Sequence, residues 1–244
     1  MRTHGCRLHS LALFRNKHMP MDTALLLVRA ASRSVGLEWV SASHSLASQP
    51  VRSGFVSLSG LQFDESISLS SVREPDARLI AHDLRKSVHL KSVRLSGSRL
   101  SDSSALALAA ALSENNTLTE LDLMGNALSN AAACALGNSL RRNCSLQHLN
   151  LRNNVIADDG ASALAAGLAN NISMRSLQFS QNRLADGCAE PFAAALRANT
   201  ALTTLFLDGN LLSASAMLAI HAAWGEGPPE RAAGTLCLSA GIGR

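Results

Sequence analysis

Few residues in this 244-residue chain are spaced as reactive groups would need to be. The five cysteines (Cys6, Cys134, Cys144, Cys188, Cys237) stand apart with no CxxC pair, so neither a zinc knuckle nor a redox dithiol is spelled. Cys134, Cys144 and Cys188 recur in slots that elsewhere hold small or apolar residues, which predicts buried free thiols and a reducing compartment. A phosphate loop needs a lysine directly after a glycine, and none of the three lysines (Lys17, Lys86, Lys91) has one. There is no HExxH and no GxSxG, and the eight histidines do not cluster at metal-ligand spacing. His82-Asp83 reads as the solvated face of a helix, and His221 as a helix position with relaxed packing. The sequons Asn115-Asn-Thr117, Asn143-Cys-Ser145 and Asn171-Ile-Ser173 fall at one position of successive repeats, so the repeat explains them without any sugar. The expectation is a chain that is not an enzyme and uses no metal, nucleotide or other cofactor.

What positions these residues is a block of 28 that recurs in register from Leu90 to Pro229, five copies without an insertion. One copy reads Leu118-x-x-Leu121-x-Leu123-x-x-Asn126-x-Leu128, and the next Leu146-x-x-Leu149-x-Leu151-x-x-Asn154-x-Ile156. The copies starting at Met174 and Leu202 follow it closely, and the one starting at Leu90 is slightly eroded. Apolar positions 4 and 6 with polar neighbours have the period of a short strand. Position 9 is Asn126, Asn154, Asn182 and Asn210, a side chain with donor and acceptor that can satisfy backbone where the chain leaves the strand. Stacked copies predict an asparagine ladder, with Ser98 doing part of the work in the first repeat.

Position 13 (Asp102, Asn130, Asp158, Asp186) predicts helix N-caps. Positions 16, 19, 20 and 23, such as Ala161, Leu164, Ala165 and Leu168, then make one buried helical face, its small residues allowing close helix approach. Asparagine at position 26 (Asn115, Asn143, Asn171, Asn199) reads as the left-handed residue that ends a helix. Each copy is thus strand, turn, helix, turn.

The division that follows is a non-repeat leader at 1–61, a degenerate capping repeat at 62–89, five repeats at 90–229, and an incomplete repeat or tail at 230–244. Within the leader, Asp22 to Ala31 suits a short helix and Phe55 to Leu61 a strand. The strand half of the cap, Glu65-Ser-Ile67-Ser-Leu69, lacks the leucine frame, and Leu236-Cys-Leu238 resembles the strand of a sixth copy. Charge divides along the same lines: residues 1–60 hold seven basic and two acidic side chains, and the remainder fifteen and sixteen, so the array is near neutral. That argues against nucleic acid as a partner. No apolar run approaches the ~20 residues of a membrane span, so no membrane is expected either. The basic, Ser-rich, acid-poor start leaves an organelle-targeting leader as the alternative to a cytoplasmic location.

The pattern L-x-x-L-x-L-x-x-N-x-L, an Ala/Leu helix and N-N-x-[ST] resembles the ribonuclease-inhibitor-like subfamily of leucine-rich repeats, and the uniform spacing is similar to the C-terminal repeats of NOD-like receptors. The resemblance implies an α/β leucine-rich-repeat solenoid, a curved horseshoe with parallel strands on the concave face and helices on the convex one. Residues at positions 3, 5, 7 and 8 would then face the concavity. The implied function is a non-enzymatic protein-interaction scaffold or adaptor that binds an as yet unidentified protein on that face. Its candidate contacts are Arg94, Glu120, Asp122, Met124, His148, Asn150, Arg152, Gln178, Phe206 and Asp208. Arg94, Asp122 and Arg152 would form an alternating surface charge network. Two other readings follow from the same resemblance: a GTPase regulator similar to the activating protein of the Ran GTPase, and a fragment of a larger NOD-like-receptor-type protein. Against the first, the chain ends Ala240-Gly-Ile-Gly-Arg244 rather than in an acidic tail.

Overall fold

The computed structural model describes residues 10–13, 39–42, 66–68, 72, 74–88 and 90–239. The helix expected at Asp22 to Ala31 and the strand expected at Phe55 to Leu61 lie outside these residues. In the leader, β1 (Ser10–Leu13) and β2 (Trp39–Ala42) pair in parallel as a separate two-stranded sheet, where sequence periodicity shows no strand.

From residue 66 onward strand and helix alternate: β3 (Ser66–Ser68), α1 (Glu74–Lys86), β4 (Ser92–Arg94), α2 (Asp102–Leu112), β5 (Glu120–Asp122), α3 (Asn130–Leu140), β6 (His148–Asn150) and α4 (Asp158–Leu168). They continue as β7 (Ser176–Gln178), α5 (Ala189–Ala198) behind a 3-10 turn, β8 (Thr204–Phe206), α6 (Ala214–Gly225), the one-turn α7 (Pro229–Ala232) and β9 (Thr235–Cys237). Strands β3 to β9 form one open parallel sheet in chain order, with each strand beside its sequence neighbour. The register runs Ser92, Glu120, His148, Ser176, Thr204. The strand β9, at Thr235–Cys237 beside Thr204–Phe206, overlaps the segment Leu236-Cys-Leu238.

The period-2 and period-3.6 patterns fix what is inside. Leu121, Leu123, Leu149, Leu151, Leu177, Phe179, Leu205 and Leu207 point from the strands into the core, and Leu108, Leu136, Leu164, Phe192 and Ile220 meet them from the helices. Small residues set the helix spacing. A methyl group on Gly137 would lie 2.5 Å from the carbonyl oxygen of Ala163, and one on Gly167 would run into the backbone of Gly137. The last repeat is looser: Met217 is half-buried and His221 exposed, at slots filled by alanine or glycine in earlier copies.

Two local expectations are corrected. The helix N-caps are Ser101, Ser129, Ala157, Ala185 and Ser213, one residue before position 13. The position-13 side chains instead reach across to the next repeat. Asp102 accepts the Ser129 N–H at 2.8 Å, Asn130 that of Ala157 at 2.7 Å, Asp158 that of Ala185 at 2.7 Å, and Asp186 that of Ser213 at 2.8 Å. Each acceptor thus binds the start of its neighbour's helix, where N–H groups have no partner within the helix.

The position-26 asparagines are not left-handed; Asn199 has φ −76° and ψ 132°. They are buried and make a second ladder. Asn143 Nδ2 donates to the carbonyls of Leu112 and Asn115, both at 2.8 Å, and its Oδ1 accepts the N–H groups of Ser145 (3.1 Å) and Leu146 (2.8 Å). Asn115 repeats this arrangement one layer before, and Asn171 and Asn199 one and two layers after. Helix ends have orphan carbonyls, and here a side-chain amide one layer on satisfies them in place of the backbone N–H groups that a left-handed end would bring.

In the capping layer Glu74 holds the place of position 13. It accepts the Ser101 N–H at 2.7 Å and the Ser103 hydroxyl, and these donors, Ser101 foremost, lower its pKa from 4.5 to about 2. A carboxyl whose folded pKa is depressed stabilises the protein above its unfolded pKa and loses that contribution as pH falls through the folded value. Glu74→Gln is therefore expected to melt below the native protein at pH 7. The gap should close as pH falls from 4.5 to about 2, as read by parallel thermal melts of the two proteins. A gap independent of pH would mean that the charge of Glu74 plays no part.

Candidate functional site

The strand face is built by three-residue strands whose middle residue is buried and whose outer residues look away from the helices. Parallel register stacks these residues in columns at the ~4.8 Å strand spacing. One column is Ser92, Glu120, His148, Ser176, Thr204, and the next Arg94, Asp122, Asn150, Gln178, Phe206. A third follows the strands: Ser96, Met124, Arg152, Ser180, Asp208. Arg94, Met124 and His148 are exposed, while Glu120, Asp122, Asn150, Arg152, Gln178, Phe206 and Asp208 are half-buried. All ten candidate residues thus lie on this one face or its immediate edge.

Its electrostatics differ from the expected Arg94–Asp122–Arg152 network. Arg94 donates from Nε (2.9 Å) and Nη2 (3.0 Å) to both carboxylate oxygens of Glu120, which also accepts the Ser92 hydroxyl at 2.9 Å. The bidentate bond from Arg94 is the main cause holding the Glu120 carboxyl below the usual range, and it raises Arg94 in turn. Asp122 turns to its own loop and accepts the Met124 N–H at 2.9 Å, and Asn150 does the same for Arg152 at 3.0 Å. Short side chains two residues before a turn close such Asx bonds more readily than they reach a neighbouring strand. Arg152 donates from Nε to Gln181 Oε1 at 3.2 Å, and Asp208 accepts the Ser180 hydroxyl.

Position 8, expected to face the same way, puts the Gln181 side chain beside Arg152, and what all five copies share there lies in the backbone. Gly97, Gly125, Asn153, Gln181 and Gly209 all have φ between 55° and 70°, the left-handed corner where the chain leaves the strand. Three glycines and an asparagine in one column were the signal for it. Asn126, Asn154, Asn182 and Asn210, one residue on, are buried and bridge layers through the backbone. Asn154 Nδ2 donates to the carbonyls of Leu123 (3.1 Å) and Leu151 (3.0 Å), and its Oδ1 accepts the Leu128 N–H. Ser98, which stands in this column, accepts the Val72 N–H.

The three sequon asparagines are those of the second ladder, 1–4% exposed with both amide hydrogens engaged, so the folded array offers none of them for modification. Among the described cysteines Cys188 is buried, Cys134 half-buried and Cys144 exposed, which corrects the expectation that all three are buried. Burial, followed by the charge of Asp158, pushes the Cys188 thiol up to about 12, so it carries almost no nucleophilic thiolate. No group of three or more His, Cys, Asp or Glu that could hold a metal lies together among the described residues. None of their helices is long and apolar enough to cross a membrane. What the strand face offers chemically is a ribbon of donors, acceptors, one fixed ion pair and two apolar side chains.

The leucine-rich repeat family profile matches residues 86–109, 114–137 and 142–165. Among solved structures, the actin-binding site 2 of leiomodin-1 is 18% identical, with 66% of this chain and 79% of that chain covered and a TM-score of 0.44. The C-terminal domain of a Caenorhabditis elegans tropomodulin is 16% identical, with 68% and 88% covered and a TM-score of 0.46. An internalin of Listeria monocytogenes is 18% identical, with 64% and 51% covered and a TM-score of 0.33. No curated protein sequence matches the chain.

Proposed function

We propose that this leucine-rich-repeat solenoid is a non-enzymatic scaffold that binds a protein partner on its strand face. The observation that carries the reading is the continuous, register-locked ribbon across β4 to β8. There the exposed Met124 and half-buried Phe206 sit among Arg94, His148, Arg152 and Gln178. Arginine, methionine and aromatic side chains are enriched at protein interfaces, and here they stand among polar neighbours of both signs. The backbone beneath is held by the two asparagine ladders, so a partner would meet a surface that is already ordered and pays little entropy on docking.

The test is charge reversal on each face. Arg152 donates only to an exposed glutamine, so Arg152→Glu is expected to leave the melting temperature nearly unchanged, exposed contacts of this kind contributing ~0–1 kcal/mol. It should nevertheless weaken a captured partner at least about tenfold, as a lost interface arginine does. Arg141→Glu, on the exposed C-terminus of α3, should bind as the native protein does. If Arg141→Glu abolishes binding while Arg152→Glu does not, the helix face is the docking surface.

A further inference from the structure

Arg231 is fully buried at the C-terminal end of the array, and its contacts coincide with a gap in the second asparagine ladder. Each rung donates to two carbonyls of the preceding layers: Asn171 to Leu140 and Asn143, and Asn199 to Leu168 and Asn171. One step further, an asparagine at position 227 would donate to the carbonyls of Leu196 and Asn199. That position is Gly227, and the two carbonyls are taken by Arg231: Nη1 donates to Leu196 at 2.6 Å, and Nη2 to Asn199. A third bond runs from Nε to the Leu202 carbonyl at 3.0 Å, and the guanidinium carbon lies 5.2 Å from the Trp224 ring centroid.

The neighbouring residues fit the substitution. A Cβ on Gly227 would stand 2.5 Å from Arg231 Nη1 and 2.8 Å from its Cζ, so glycine is what makes room for the guanidinium. That same vector carries a side chain at 227 toward the guanidinium that holds the two carbonyls. Gly227 is not among the left-handed glycines, so its backbone accepts other residues. In the interior rungs Oδ1 accepts the N–H groups two and three residues on, as Asn199 does from Ala201 and Leu202. At this end the first of these is Pro229, which has no N–H, so half of the acceptor's work is gone and a group with donors only takes the rung. The carbonyls of Leu196 and Asn199 close the C-terminus of α5, the negative end of its dipole, which favours a cation. Burying a guanidinium costs several kcal/mol unless such charge-assisted bonds are made.

We infer that Arg231 is the terminal rung of the asparagine ladder, a latch reaching back from α7 that holds the α7–β9 strap on the end of the array. Its removal would free two helix-end carbonyls and the strap together, leaving the middle repeats as they are.

Hydrogen exchange on the full chain tests this, read at the two amides that tie the strap to the array, Thr235 (donating to Thr203) and Leu207 (donating to Cys237), and at Leu123 and Leu151 in the middle of the sheet. Arg231→Ala is expected to speed exchange at Thr235 and Leu207 at least about tenfold and leave Leu123 and Leu151 unchanged. Gly227→Ala alone should do the same, because its methyl takes the guanidinium's place. The deciding variant is Arg231→Ala combined with Gly227→Asn, which restores a rung where the frame puts one. It is expected to return the strap to within about threefold of native exchange. Unchanged exchange in Arg231→Ala would overturn the latch. A double variant no better protected than Arg231→Ala would overturn the rung assignment, and it decides alone if the single variant does not fold.

Discussion

Replacing Asn143 by alanine is expected to destabilise the array by about 3 kcal/mol or more, because four main-chain groups lose their bond to its amide at once and a buried unsatisfied group costs ~1–3 kcal/mol. The four are the carbonyls of Leu112 and Asn115 and the N–H groups of Ser145 and Leu146, around a side chain only 1% exposed. Relaxation and water entry will recover part of the sum, so the total stays below four full penalties. Asn154→Ala, in the other ladder, should cost a similar amount, whereas Asn150→Ala loses one half-buried Asx bond and should cost under about 0.5 kcal/mol. Asn143→Asp is a sharper probe. It keeps the acceptor but sets a carboxylate oxygen against two carbonyl oxygens, so it should be no milder than alanine at pH 7. Denaturant melts of the four variants give the ranking. Equal losses at Asn143 and Asn150 would overturn the assignment of Asn143 as a buried rung.

Gly167→Ala should also be strongly destabilising, against the usual sign of the exchange. Alanine in a helix is favoured over glycine by ~1 kcal/mol. Here the added methyl would meet the backbone of Gly137 on the neighbouring helix, which cannot move aside as a flexible side chain could. Overpacking of a tight core costs ~1–3 kcal/mol and occasionally more, and a backbone obstacle belongs at the upper end. A net loss of about 2 kcal/mol is expected. Gly225, the last residue of α6, has open space where its Cβ would stand, so Gly225→Ala should be neutral or gain up to ~1 kcal/mol. The measurement is the difference in unfolding free energy between the two variants. If both are stabilising, the close approach of α3 and α4 is not a constraint on the fold.

The regular parts of the molecule were legible because a repeat states the same local rule five times. The period-2 leucines and the i, i+3, i+4, i+7 helix face could be read from residues alone, since each depends only on where side chains point along one element. The position-9 asparagines were legible for a related reason: an amide placed where a strand ends has backbone to satisfy in any layer. Three features needed the stacking of one layer on the next. Asp102, Asn130, Asp158 and Asp186 look like caps of their own helices, yet they bind the N–H of a residue 27 further on. The position-26 asparagines look like left-handed helix ends, yet they bond to carbonyls 28 and 31 residues back. In both cases a short-range motif and a cross-layer bond use the same residue type, and only the distance between layers decides which bond forms. Glu120 rather than Asp122 takes Arg94 because Asp122 closes its own turn first. Arg231 lies outside the repeat frame, so no periodicity pointed to it. It became visible only where the folded end layer brought its guanidinium to the two carbonyls that a missing asparagine would have held.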